Sequence, residues 1–418
     1  MVIIDYVLLL MGLLVLSSIL LTKIFHNIGI PTLLLFIGVG ILAGSEGFGN
    51  IYFDDAELAQ AIGTICLVII LFTGGLDTNW NSSKKAFLPS LSLATLGVFL
   101  TAIIVACIIH FVFRFPFLWS FLVASIISST DAAAVFSVLR QKEIGLKGNL
   151  KPLLELESGS NDPMAIFLTI GTIELLNNPE QGYFNIVLVF VAQMFIGFAV
   201  GLLLGKLTVY SINSLKFSNA GIYTVFVISF CALIYSISSI IGGSGFLALY
   251  VGGFIFGNSQ FVYKKSTIRF FDSLAILSQI TMFTTLGLLV FPSKLINVVG
   301  IGLLIGFALM FIARPISVLI SLIPFKYSYR DKIFVSWVGL RAAVPIILAT
   351  FPLLAHIDGA DLIFNVVFFI VVLSTILQGW TINPIAKLLK LSTDFKKTQE
   401  SLLEINPSSN SDYDILEL

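Results

Sequence analysis

Residues 125–167 read SIISSTDAAAVFSVLRQKEIGLKGNLKPLLELESGSNDPMAIF. Two long apolar segments flank a short basic loop here. They carry Asp131, Glu157 and Asp162 at depths where a membrane helix normally holds no charge. Asp162 lies about ten residues into its segment. At ~1.5 Å rise per residue that is ~15 Å, the middle of a ~30 Å hydrocarbon core. An ionisable side chain there costs at least ~2.5–3.5 kcal/mol on insertion scales, so it marks a function.

The rest of the chain supplies the membrane setting for these charges. Of 418 residues, 57% are hydrophobic and only 11% charged, with a mean hydropathy of +1.03. Repeated apolar runs of about twenty residues predict an all-α polytopic membrane protein. The runs are continuous rather than alternating, which excludes a β-barrel. A formal net charge of zero, with basic residues scattered over short loops, gives no footprint for nucleic acid. Cys66, Cys107 and Cys231 all fall inside apolar segments and read as small buried hydrophobes. Residues 1–23 lack a basic start and a small-residue cleavage site, so they read as the first span rather than a signal peptide.

The pattern predicts about thirteen spans, at 4–24, 28–44, 58–76, 87–112, 116–139, 152–176, 184–208, 220–241, 244–258, 270–292, 295–323, 331–354 and 361–389. A polar tail, 391–418, follows. With the N-terminus outside, the inward loops and the tail collect the basic residues. Among them are Lys84, Lys85, Arg140, Lys142, Lys147, Lys151, Lys216, Lys396 and Lys397. The outer loops hold only Arg114 and Lys294 among basic residues, and are acidic at Glu46, Asp54, Asp55 and Glu57. That segregation predicts an N-out, C-in topology with a cytoplasmic tail.

This span order permits two inverted six-helix repeats, spans 1–6 and 8–13. Helix-breaking features fall at equivalent places. Span 5 contains Ser128, Ser129, Thr130 and Asp131 in succession, and span 12 contains Gly339, Arg341 and Pro345. Both are expected to be discontinuous helices meeting near the midplane.

On span 6, Glu157 and Asn161 are four residues apart, as are Ser158 and Asp162, so all four share one broad face. Oxygen donors from Asp162, Ser158, Asp131 and Thr130 suit a hard cation. His26, His110 and His356 lie near span ends and the cysteines are scattered, which disfavours a transition metal. One buried carboxylate that holds either a proton or a cation is the core of an exchanger, and the neutral Asn161 cannot carry a second proton. Arg314, deep in span 11, needs a partner, for which Glu157 is expected. Arg341 either screens the broken-helix ends or pairs with Asp131.

Four stretches, SSTDAAAVFSVL, LELESGSNDPMAIF, FIARPISV and WVGLRAAVPIILATF, occur in this order on spans 5, 6, 11 and 12. With them the chain resembles the monovalent cation/proton antiporters, in the branch with Asn-Asp in the ion-binding helix, and most nearly the bacterial NhaP-type potassium/proton antiporters. The resemblance covers about residues 1–390. It implies that the broken helices of spans 5 and 12 cross in a core domain around 87–176 and 295–390, beside a dimerisation part around 1–76 and 184–292. It also implies elevator-like alternating access, electroneutral exchange, a homodimer, and residence in a bacterial inner membrane. Asp162 would carry the monovalent cation and the proton, with Asp131, Thr130 and Ser158 beside it. Asn161 would organise the site, and Glu157 with Arg314 would form a structural pair. Three features depart from the pattern. Ala132 replaces the usual proline after Thr-Asp, Thr73 stands where some relatives are acidic, and potassium-selective relatives often continue into a soluble regulatory domain.

The function expected is therefore exchange of H+ for a monovalent cation, K+ ahead of Na+, with no enzymatic activity and no cofactor. The alternative is a regulated monovalent cation channel or efflux protein. It is disfavoured because no repeated pore loop with a carbonyl filter is visible. The glycine-rich run 244–258 reads as small residues at helix contacts rather than a filter.

Overall fold

Backbone in hydrocarbon must satisfy its own hydrogen bonds, and this chain does so with helices. A computed structural model describes residues 2–25, 31–142, 144–180, 182–215 and 219–394. His26, Lys216, Lys396, Lys397 and the acidic end of the tail lie outside the described residues.

In chain order the first elements are α1 (Val2–Phe25), α2 (Thr32–Ala43), α3 (Ala56–Asp77) and the short α4 (Trp80–Ser83). A π turn, Leu93–Gly97, joins α5 (Phe87–Ser92) to α6 (Val98–Phe113). The next pair, α7 (Phe117–Ile126) and α8 (Ala132–Gln141), are separated halves of one segment. Strand β1 (Ile144–Leu146) then leads into α9 (Leu150–Asn177). Four helices follow: α10 (Tyr183–Ser214), α11 (Ala220–Ile240), α12 (Gly245–Gly257) and α13 (Lys264–Leu288). A second π turn, Leu309–Ala313, joins α14 (Pro292–Ala308) to α15 (Arg314–Ser321). The second interrupted segment comprises α16 (Tyr329–Trp337), α17 (Ala343–Leu348) and α18 (Thr350–Leu354). Finally α19 (Ala360–Leu388) runs to β2 (Ser392–Asp394).

Each apolar segment expected from the sequence coincides with one of these helices or with helices set end to end. By length and composition, 8 helices among the described residues can cross a membrane on their own. The remaining segments fall short for physical reasons. α2, α7, α12 and the α17–α18 stretch are apolar but short. α9 is 28 residues long but carries Lys151, Glu155, Glu157, Asp162 and Glu174. α7 and the α17–α18 stretch are short because their segments are interrupted, α9 is charged, and α2 and α12 are unbroken short helices.

The glycines of α12 serve close packing. A Cβ on Gly253 would strike the backbone of Phe72, and one on Gly257 would strike that of Leu76, so α12 lies directly on α3. On α10, a Cβ at Gly201 would meet the Ala248 backbone. These small residues set helix contacts, as the sequence suggested. The buried apolar side chains form two clusters. One centres on α6, α7, α9, α17 and α19. The other is built from α10–α13 against the end of α3.

The start of the tail is ordered. β2 pairs antiparallel with β1, with Leu146 opposite Ser392, and Lys147 N–H donates to the Leu391 carbonyl at 2.9 Å.

Candidate ion-binding site

Two gaps in the helices meet. The first, residues 127–131, separates α7 from α8, and the second, residues 338–342, separates α16 from α17. Each frees backbone groups that hydrocarbon cannot satisfy. The gaps answer one another, since Asp131 N–H donates to the Leu340 carbonyl at 2.8 Å. Asp131 also caps α8, its Oδ1 accepting from Ala134 N–H at 3.1 Å. A carboxylate suits the positive end of a helix, so this cap holds even though Ala132 stands where a proline is usual.

Arg341 is fully buried and lies in the second gap. Its Nε donates to the Ile127 carbonyl at 3.2 Å and its Nη1 to the Gly339 carbonyl. Of the two roles open to it in the sequence, it takes the screening of helix ends. It is not paired with Asp131. Pro345 lies in the first turn of α17, where a missing N–H costs little. The second gap is therefore not a proline kink.

On α9, Ser158 Oγ donates to the Thr130 carbonyl at 3.0 Å and accepts from Ala132 N–H at 3.0 Å. Asn161 Nδ2 donates to Thr130 Oγ1 at 2.7 Å. Ser158 and Asn161, three apart and on one broad face with Glu157 and Asp162, tie α9 to the first gap. Gly159 sits between them because the Tyr250 ring occupies the space a Cβ would need. One turn back, Glu157 is ion-paired with Arg314, and each is 1% exposed. Arg314 follows directly on the second π turn, an element that often marks functional positions in helices.

A cavity of about 700 Å³ opens against this assembly. Asp162, Asp131, Thr130 and Ser158 line it, whereas Asn161, Glu157, Arg314 and Arg341 do not. Thr73, Gln279 and Tyr250 line it as well, as do Asp77, Arg140, Lys151, Glu155 and the residues of β1. Asp162 is 7% exposed. Among the described residues, neither Asp162 nor Asp131 belongs to an ion pair. The arrangement is a pocket that gathers hydroxyl and carboxylate oxygens, with the Asp162 carboxylate outside any ion pair among the described residues.

Residues 13–388 match the family described as sodium/hydrogen exchanger, transmembrane. The chain belongs to that family. It is 43% identical over 388 residues to the K(+)/H(+) antiporter NhaP of Alkalimonas amylolytica, covering 93% of this chain and 67% of that protein. It is 41% identical over 397 residues to the K(+)/H(+) antiporter NhaP2 of Shewanella baltica, covering 94% and 68%. The chain thus spans about two thirds of the length of these relatives. Among solved structures, the sodium proton antiporter MjNhaP1 of Methanocaldococcus jannaschii superposes with a TM-score of 0.80 at 25% identity, over 92% of this chain and 99% of that one.

Within this exchanger fold, the sequence reading missed the clamp supplied by α19. Gln378 Nε2 donates to the Trp337 carbonyl at 2.8 Å, Thr375 Oγ1 lies 3.1 Å from the Arg341 carbonyl, and Arg341 N–H reaches Ser374 Oγ at 3.4 Å. The Arg341 carbonyl precedes α17 and has no helical donor, and Thr375 supplies one. A signal was present, since Ser374 and Gln378 are four apart in a long apolar helix and hydrogen-bond to each other at 2.5 Å.

Proposed function

We propose that this chain is a secondary antiporter that exchanges H+ for a monovalent cation, with Asp162 as the shared carrier. The observation that carries this is the Asp162 carboxylate lining the cavity, buried and outside any ion pair among the described residues. A buried carboxylate without a counter-charge is costly, so it is occupied by a proton or by a cation. Asp131 already caps α8, which leaves Asp162 as the carboxylate free to trade one cargo for the other. Asn161, bonded to Thr130, adds no second proton site. One titrating carrier supports electroneutral one-for-one exchange.

Potassium is placed ahead of sodium. The relatives at 41–43% identity are named K(+)/H(+) antiporters, whereas the Na(+)/H(+) antiporter NhaH of Halobacillus aidingensis is 28% identical. No observation favours the channel alternative.

Thirteen crossing segments in two inverted repeats fit the pattern of irregularities. The π turns fall in spans 4 and 11 and the gaps in spans 5 and 12, both seven spans apart. Across the repeats, Thr101 Oγ1 and Ser317 Oγ lie 2.7 Å apart, and Ser92 Oγ donates to the Ser321 carbonyl at 2.9 Å. The separate apolar cluster of α10–α13 suits a scaffold part around 1–76 and 184–292. A core around 87–176 and 295–390 would move against it, in a homodimer within a bacterial inner membrane, N-terminus outside and tail cytoplasmic. The cavity then faces the cytoplasm, because Arg140, Lys151 and β1 border it.

Lumenal pH in proteoliposomes under imposed K+, Na+ and Li+ gradients tests this function. Proton movement should follow the cation gradient, most strongly for K+, and should be unaffected by a clamped membrane potential. Current without coupled proton movement would overturn exchange in favour of a channel.

A further inference from the structure

One hydroxyl on the cavity wall has no role in the exchange cycle described so far. Ser129, in the first gap, is 1% exposed and lines the cavity, yet its Oγ has no hydrogen-bond partner. The Asp162 carboxylate lies beside it as the acceptor its proton can turn toward. A buried hydroxyl left unbonded is unfavourable, and such groups persist where something else completes them.

Its neighbours on the same wall are already engaged. Ser158 both donates and accepts, Thr130 Oγ1 accepts from Asn161, and Thr73 Oγ1 donates to the Ile69 carbonyl at 2.8 Å. Ser129 is the hydroxyl on this wall whose lone pairs and proton are both unspent. A hydroxyl can turn its proton toward an anion or its lone pairs toward a cation.

We propose that Ser129 Oγ is a ligand of the transported cation, opposite the Asp162 carboxylate. With the site empty of cation it donates toward the ionised carboxylate. When a K+ or Na+ ion enters, the hydroxyl rotates and offers a lone pair, which suits a hard monovalent ion. This inference rests on Asp162 as the cation carrier.

Ser125 provides an internal control. It lies one turn earlier on α7, is fully buried, and its Oγ is likewise unpartnered, but it does not line the cavity. Exchange kinetics of the full chain in proteoliposomes, with K+, Na+ and Li+ in turn, compare wild type with Ser129→Ala, Ser129→Thr, Ser125→Ala and Asp162→Ala. Loss of one ligand should raise the apparent KM for the cation about five- to tenfold in Ser129→Ala, with the maximal rate within about twofold of wild type. Ser129→Thr keeps the hydroxyl and should stay near the wild-type KM, as should Ser125→Ala. An unchanged KM for every cation in Ser129→Ala, a lost rate at unchanged KM, or an equal rise in Ser125→Ala would overturn the assignment. If Ser129→Ala does not fold, Ser129→Thr against Ser129→Val decides it, since these differ by the hydroxyl at nearly equal shape. A wild type that exchanges nothing, or an Asp162→Ala that exchanges normally, would instead overturn the carrier role of Asp162.

Discussion

Replacing Asp162 by asparagine is expected to lower cation-driven proton movement by at least ~100-fold, equivalent to ~2.7 kcal/mol, in protein that still folds and inserts. Asparagine keeps the size and polarity of the side chain but neither releases a proton nor offers a charge. The carboxylates in the adjoining helix gap and on the same face of α9 are already engaged. Asp131 is fixed as the cap of α8, and Glu157, which does not line the cavity, is bound to Arg314. Folding should survive because Asp162 anchors neither helix gap and belongs to no ion pair among the described residues. Removing an uncompensated buried charge is, if anything, favourable to stability. A correctly inserted Asp162→Asn protein that exchanges at wild-type rate would place the carrier elsewhere.

The second large effect concerns Glu157 and Arg314. Each is 1% exposed, so neutralising either alone leaves the other as an uncompensated buried charge. The expected cost is ~3–5 kcal/mol, read as a lower thermal midpoint in detergent for Glu157→Gln or Arg314→Met. Replacing both, as Glu157→Leu with Arg314→Met, should recover most of that loss, because an apolar pair avoids the desolvation of two ions. Neither residue lines the cavity, so the double variant should retain exchange. If single and double variants are equally unstable, the pair is not a brace. If the double variant is stable but inactive, Arg314 or Glu157 takes part in transport.

Much of this organisation was legible in the sequence because charge in apolar runs is rare and has few explanations. Asp162, Glu157, Arg314 and Arg341 stood out for that reason. The helical segments were legible for a related reason, as hydrocarbon admits little else. The gap in span 5 was visible in its Ser/Thr run, although Ser129 read there as a helix breaker and not as a group facing the cavity.

Other features left little trace. Ser374, Thr375 and Gln378 bond to backbone groups of an element more than thirty residues earlier in the chain, and neutral polar residues in a membrane helix do not announce distant partners. The π turns shift the helical period by one residue over a single turn, below what hydrophobic patterning resolves. The role of Arg341 was ambiguous because a buried arginine binds a carboxylate and a set of carbonyls with equal chemical sense, and its choice depended on where Ile127 and Gly339 lie.

Exchange through a shared carrier requires a proton and a cation to occupy the Asp162 site in alternation. The apparent KM for K+ measured as a function of pH tests it most directly. Competition for one site predicts that, on the acid side of the site's titration, KM rises by about tenfold for each unit fall in pH while the maximal rate stays constant, and that KM levels off at alkaline pH. A KM that does not change with pH while the maximal rate does would mean that the proton acts at a different group, and would contradict the shared-carrier account.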